Sequence, residues 1–189
     1  MNHKDHVNLL RKGIPDRGGI WADFGSGRGA FTLALADLIG SSGEIYSVDK
    51  NERALNDQER AMQARFPERK PDSSHYIVAD FTQPIHLPPL DGLLMANALH
   101  FAPEKDKVLE LMRSYLRPGG RFILVEYNIA HGNRWVPYPI PYTQWEQLAS
   151  NNGFAQTRIL ATRSSRTFSE IYSALTIKPV KSQSASQSD

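Results

Sequence analysis

Asp23-Phe24-Gly25-Ser26-Gly27-Arg28-Gly29 is the stretch on which the fold turns. It follows the short apolar run Ile20-Trp21-Ala22-Asp23-Phe24 and precedes Ala30-Phe31-Thr32-Leu33-Ala34-Leu35-Ala36-Asp37-Leu38-Ile39, which is apolar on most faces. A strand, a glycine loop and a helix packed deep against a sheet are therefore expected in immediate succession, with Gly40 placed to stop the helix. Glycine at 25 and 27 permits unusual backbone angles and a close ligand approach to the main chain. The helix start beyond it offers unpaired N–H groups to an anion. Asp49, 20 positions past Gly29 at the end of the next strand-like run, Glu44-Ile45-Tyr46-Ser47-Val48, can accept hydrogen bonds from a ribose diol.

Outward from that core the alternation continues. Residues 51–66 carry Leu55, Met62 and Phe66 at helical spacing and are closed by Pro67. Residues 75–79 and 91–96 read as third and fourth strands, and the first five strands are expected to be joined by helical crossovers. Pro103 suits a first helical turn, followed by a stripe of Val108, Leu111, Met112 and Tyr115. Residues 121–127 form a fifth strand. Thr143-Gln144-Trp145-Glu146 has the spacing of a capping box, opening a helix that Gly153 should end. Residues 154–163 and 168–177 are both strand-like and too close in sequence for a parallel crossover, so they pair as an antiparallel hairpin. The expected fold is a single-domain Rossmann-like α/β arrangement of residues 1–177. It has a seven-stranded, mostly parallel sheet with an antiparallel last strand and helices on both faces. Residues 178–189, rich in Ser and Gln, read as a disordered tail.

Composition narrows the function. With 40% apolar and 22% charged residues the chain is an ordinary globular one. A net charge of +2, spread along the sequence, disfavours a nucleic-acid surface. No apolar run approaches a membrane span, and the start of the chain lacks a signal-peptide core, so a cytoplasmic location is expected. Cysteine is absent, which excludes disulfides, cysteine zinc sites and thiolate nucleophiles.

Trp21-Ala22-Asp23-Phe24-Gly25-Ser26-Gly27-Arg28-Gly29 resembles the first motif of class I S-adenosylmethionine (SAM)-dependent methyltransferases, an acidic residue followed by Gly-x-Gly-x-Gly. Leu116-Arg117-Pro118-Gly119-Gly120-Arg121-Phe122 is similar to the turn that family carries before its fifth strand, and the closing hairpin matches its reversed last strand. The resemblance covers roughly residues 20–177. Within the family the chain looks closest to small bacterial enzymes of the quinone-biosynthesis and small-molecule type. It implies SAM as cofactor, with Gly25, Ser26 and Gly27 beneath its methionine part and Asp23 near its ammonium. Asp49 would bind the ribose, Lys50 would lie on the adenine face, and Asp80 would accept from the adenine amine beside Phe81. Asn97 would face the methyl-transfer centre. Each has a plainer reading as well: Asp80 opens a turn, Lys50 points to water, Phe81 is core.

Methyl transfer needs alignment and dryness more than covalent help, so a base is optional. His100 is a candidate base, or a hydrogen-bonded histidine of the pocket wall. Glu126 either approaches the rim or binds a backbone group, and His131 is a further loop histidine. Residues 135–145 (WVPYPIPYTQW) either supply aromatic walls, with Tyr127, Trp135, Tyr138 and Tyr142 assigned to a small, aromatic acceptor, or anchor the next helix through Trp145 and seal the sheet edge. The first helix, around residues 6–11, is a candidate cover for that pocket. No metal is expected. The alternatives are a nicotinamide-dependent oxidoreductase, which shares the loop and the ribose carboxylate, a non-enzymatic SAM-binding protein, and a nucleic-acid methyltransferase.

Overall fold

In the computed structural model, residues 1–164 and 170–180 are described. Seven strands form one sheet: β1 (Ile20–Phe24), β2 (Glu44–Asp49), β3 (Ser74–Val78), β4 (Leu90–Ala96), β5 (Leu116–Tyr127), β6 (Ala155–Ser164) and β7 (Glu170–Ile177). Their spatial order is β3-β2-β1-β4-β5-β7-β6. The first five run parallel, and β7 is inserted antiparallel between β5 and β6. The expected Rossmann-like sheet with its reversed last strand is thus the observed one. The order reverses at β1, whose neighbours β2 and β4 leave it in opposite directions, and such a switch point opens a crevice at the carboxyl ends of the strands.

Alternate strand residues enter different layers, as the period of two demands. Phe122 and Leu124 join one core with α4 (Lys105–Tyr115) and α5 (Tyr142–Asn151), while Ile123 and Val125 join the other with α1 (His3–Leu10) and α2 (Ala30–Ile39). The helix α3 (Glu52–Arg65) is started by Asn51, whose side chain accepts from the Ala54 N–H.

Two expectations are corrected. The passage from β3 to β4 contains no helix. Residues 79–89 carry Pro84, Pro88 and Pro89, which cannot sustain a helical ladder. This segment packs Phe81, Ile85 and Leu87 on the α4 face and is tied there by the Ile85 N–H donating to the Tyr115 hydroxyl at 2.8 Å. The capping box at Thr143 does not form either. Helix α5 is capped two residues earlier, by Pro141, whose carbonyl accepts from the Gln144 and Trp145 N–H groups, and Glu146 accepts instead from the Tyr142 hydroxyl at 2.7 Å. Helix α1 lies against α2 and the β6–β7 hairpin, with Asp5 paired to Arg163.

The turn between β6 and β7 falls on residues 165–169 and most of the expected tail on 181–189, outside the described residues. Lys178, the first residue assigned to that tail, belongs to the sheet margin: its ammonium donates to the carbonyls of Arg113 and Leu116. No helix among the described residues is long and apolar enough to cross a membrane.

Candidate active site

At the end of β1 the backbone N–H groups of Gly25 and Ser26 both donate to the Val48 carbonyl, at 2.8 and 3.1 Å, folding the loop over β2. Gly25 has φ +72°, and a Cβ there would stand 2.6 Å from the Ala98 Cβ, so a side chain would wedge the gap between the β1 and β4 ends. Gly27 has φ +54°, and nothing lies within 4 Å of where its Cβ would be; the loop is open on that side. Its N–H donates to Asp49 Oδ2 at 2.8 Å, and Asp49 Oδ1 accepts from the Asn51 N–H at 2.8 Å. The loop and the carboxylate expected to serve one ligand are therefore in direct contact.

Beside them is a cavity of ≈ 250 Å³. Of the residues expected at the cofactor, Gly25, Asp49, Lys50, Asp80, Phe81 and Asn97 line it. Asp80 opens a turn, and it also lines the cavity. Its Oδ1 accepts from the Thr82 N–H and hydroxyl. Those bonds, aided by the nearby Lys50 charge, hold its carboxyl below the usual range. Phe81 likewise faces the cavity while packing on the core. Asn97 adopts φ +52°, a left-handed conformation that asparagine tolerates better than most residues.

Ala79, Thr82, Ala98 and Phe101 also line the cavity and were not singled out from sequence. Phe101 is 56% exposed, and an aromatic residue just past the β4 loop was the available signal. Ser26, Asp23 and Gly27 stand behind this lining. Asp23 is buried, its Oδ2 accepts from the Thr32 hydroxyl at 2.6 Å, and burial pushes its carboxyl up to about 7. Three buried polar atoms around the loop have no hydrogen-bond partner among the described residues: Asp23 Oδ1, Ser26 Oγ and Asn97 Oδ1. Unsatisfied buried acceptors beside an open glycine cradle suit a ligand that brings its own donors, as the ammonium and hydroxyls of SAM do.

Residues 16–174 match the family model described as a methyltransferase domain. The chain belongs to that family. It is a SAM-dependent methyltransferase, which removes the oxidoreductase reading. No curated protein sequence matches the chain at a significant level. Solved structures share its fold. YcgJ from Bacillus subtilis superposes with a TM-score of 0.76 at 13% identity, covering 94% of this chain and 100% of that one. The 1,6-didemethyltoxoflavin-N1-methyltransferase of Burkholderia thailandensis, solved with bound 1,6-didemethyltoxoflavin and S-adenosylhomocysteine, gives 0.73 at 16% identity, covering 94% and 78%. Phosphoethanolamine N-methyltransferase 2 of Haemonchus contortus gives 0.75 at 15%, covering 94% and 53%.

In this methyltransferase the residues expected to meet the acceptor are placed less uniformly. His100 is 2% exposed and is not part of the cavity lining. Its Nδ1 lies 2.6 Å from Glu126 Oε2, and its backbone N–H donates to Glu126 Oε1 at 3.2 Å. Glu126 thus does bind a backbone group, and the imidazole with it. His131 is exposed on its loop. Tyr127, Trp135, Tyr138 and Tyr142 do not line the cavity. Tyr138 is joined to its margin, because its N–H donates to the His100 carbonyl at 3.1 Å. Trp135 is 67% exposed and has Arg134 over its ring. Tyr142 lies on α5, edge-on to Tyr172, and burial plus Glu146 push its hydroxyl up to about 12. Tyr127, half-buried at the end of β5, has its hydroxyl raised by burial. Among the described residues no group of three or more His, Asp or Glu side chains is gathered for a metal ion.

Proposed function

We propose that the enzyme transfers a methyl group to oxygen, nitrogen or activated carbon of a small acceptor, with an aromatic ring the favoured type. In this reading Asp49 accepts from the ribose hydroxyls, and Asp80 accepts from the adenine amine between Phe81 and the stem of Lys50. Gly25, Ser26 and Gly27 run beneath the amino-acid end, with Asp23 behind them, and Asn97 faces the transfer centre. When bound, SAM supplies an electrophilic methyl group on a sulfonium. The protein then has to bind, align and keep water out, and effective alignment alone removes a large part of such a barrier. A base is not obligatory, so the burial of His100 against Glu126 is compatible with turnover.

Support for an aromatic acceptor comes from three exposed rings near the β4 and β5 ends: Phe101, Tyr138 at 46% exposure, and Trp135. Such surfaces are costly to leave in water and suit an apolar, flat partner. The modest, dispersed charge supports a small molecule over a nucleic acid.

The observation that carries the reading is the 2.8 Å contact of the Gly27 N–H with Asp49 on the wall of a cavity that also holds Asp80. Calorimetry with S-adenosylhomocysteine tests it. The wild type should bind, and Asp49→Asn should weaken binding by roughly tenfold or more, the worth of hydrogen bonds to a charged acceptor. No heat with the wild type would end the assignment. Turnover with a panel of phenols, amines and enols then identifies the atom methylated.

A further inference from the structure

The turn after β4 is held at both ends by two consecutive residues of β5. At its start the Asn97 N–H donates to the Val125 carbonyl at 2.9 Å. At its far end the Glu126 carboxylate takes both donors of one residue, the His100 N–H on Oε1 and the ring Nδ1 on Oε2. Glu126 is 0% exposed. Between these tethers lie Asn97, in its left-handed conformation, and Ala98; Phe101 follows directly, and all three face the cofactor cavity. His100 meets the aromatic segment through its second main-chain contact, since its carbonyl accepts from the Tyr138 N–H. Lys105 adds a second link: its ammonium donates to the Ala102 carbonyl at 3.1 Å and lies 5.3 Å from the Tyr138 ring centroid.

For stability alone this pair is a poor choice. Two buried polar side chains cost desolvation that an apolar pair of similar volume would avoid. What a carboxylate gripping an N–H and an imidazole of the same residue does supply is direction, because it fixes both the backbone and the ring plane.

We infer that His100 and Glu126 form a positioning pair, which holds the Asn97–Ala98–Phe101 wall of the cofactor cavity in register with the aromatic segment 133–142. The alignment of the acceptor by that segment rests on the function proposed above; the clamp on the cavity wall does not. The inferred pair includes the tautomer: with Glu126 as the acceptor, the ring N–H sits on Nδ1.

Glu126→Gln is the decisive variant. Its amide oxygen can still accept from the His100 N–H, but its amide N–H₂ confronts Nδ1 and drives the ring proton to Nε2. Nitrogen-15 NMR of His100 should report that exchange of tautomer. In the ligand-free protein, hydrogen exchange of the Tyr138 and Asn97 amides should accelerate by tenfold or more while the β2 amides stay unchanged. Affinity for S-adenosylhomocysteine should fall about tenfold. His100→Asn, whose amide N–H can still reach Glu126, should retain most of the wild-type protection and affinity, whereas His100→Leu should lose both.

A wild-type ring already protonated at Nε2 would overturn the inference. So would parallel acceleration of all amides, which is a loss of global stability, or wild-type protection in Glu126→Gln. Should Glu126→Gln fail to fold, His100→Asn against His100→Leu decides by the same readouts. None of these measurements uses an acceptor. Failure of the acceptor reading, seen as Tyr138→Ala without effect on turnover, is therefore separable from failure of the clamp.

Discussion

The glycine-loop side of the cavity and the aromatic side beyond β5 satisfy their polar groups in opposite ways. Around the loop, Asp23 Oδ1, Ser26 Oγ and Asn97 Oδ1 are buried without a partner among the described residues. At and beyond the end of β5, both Glu126 oxygens are engaged by His100, the Tyr172 hydroxyl donates to the Ile140 carbonyl at 2.7 Å, and the Tyr142 hydroxyl donates to Glu146. Only Trp145 Nε1 stands out there as buried without a partner among the described residues. Native interiors rarely leave such groups open, and the loop gathers three of them; Gln58 Oε1, Arg69 Nε and Ser74 Oγ, on and after α3, are further cases among the described residues. The other side is closed upon itself and acts as framework, offering rings rather than unfilled hydrogen bonds.

The largest test of this contrast is Gly25→Val. With φ +72° and Ala98 2.6 Å from a Cβ, any side chain both strains the loop and fills the gap. Affinity for S-adenosylhomocysteine, read by calorimetry, should drop about 100-fold, close to 3 kcal/mol. Retained affinity would break the assignment of this side to the cofactor.

Asp23 sharpens it through pH. Burial raises its folded-state value to about 7, above the ordinary carboxyl value of 3.8. Below about pH 4 both states hold the proton. Between there and about pH 7 the folded state keeps a proton that the unfolded chain has lost. Stability of the ligand-free protein should therefore fall as pH rises through that window, by at most about 1.4 kcal/mol per pH unit, and level off above it. Thermal melts from pH 4 to 8 should show this slope, and Asp23→Asn should flatten it.

The smallest effect belongs to the framework side. Tyr142→Ala removes the edge-on contact with Tyr172, centroids 5.7 Å apart, and should cost about 1 kcal/mol in chemical denaturation. Together with Tyr138→Ala it should weaken acceptor use while cofactor binding stays intact. Equal loss of both would erase the distinction between the two sides.

The glycine loop was legible because its signals are local: a strand, residues that need positive φ, and a helix follow in sequence, and Asp49 closes the next strand. The proline-rich 79–89 crossover was misread because strand alternation suggested a helix that Pro84, Pro88 and Pro89 deny. The Thr143 box was misread because Pro141, two residues earlier, had already started the helix. Among the aromatic residues, composition indicated a wall but not its direction.

The succession of strands and the reversed last strand followed from the chain alone, since periodicity and backbone requirements are written residue by residue, and the kind of cofactor followed from the resemblance of the glycine loop to a methyltransferase motif. Only the folded molecule decided that Asp49 meets Gly27, that Glu126 clamps His100, and that Phe101 rather than Tyr142 reaches the cavity. Those contacts join residues 22 and 26 positions apart or lie past the ends of strands. There no repeating pattern sets a side chain's direction, and packing between distant segments does.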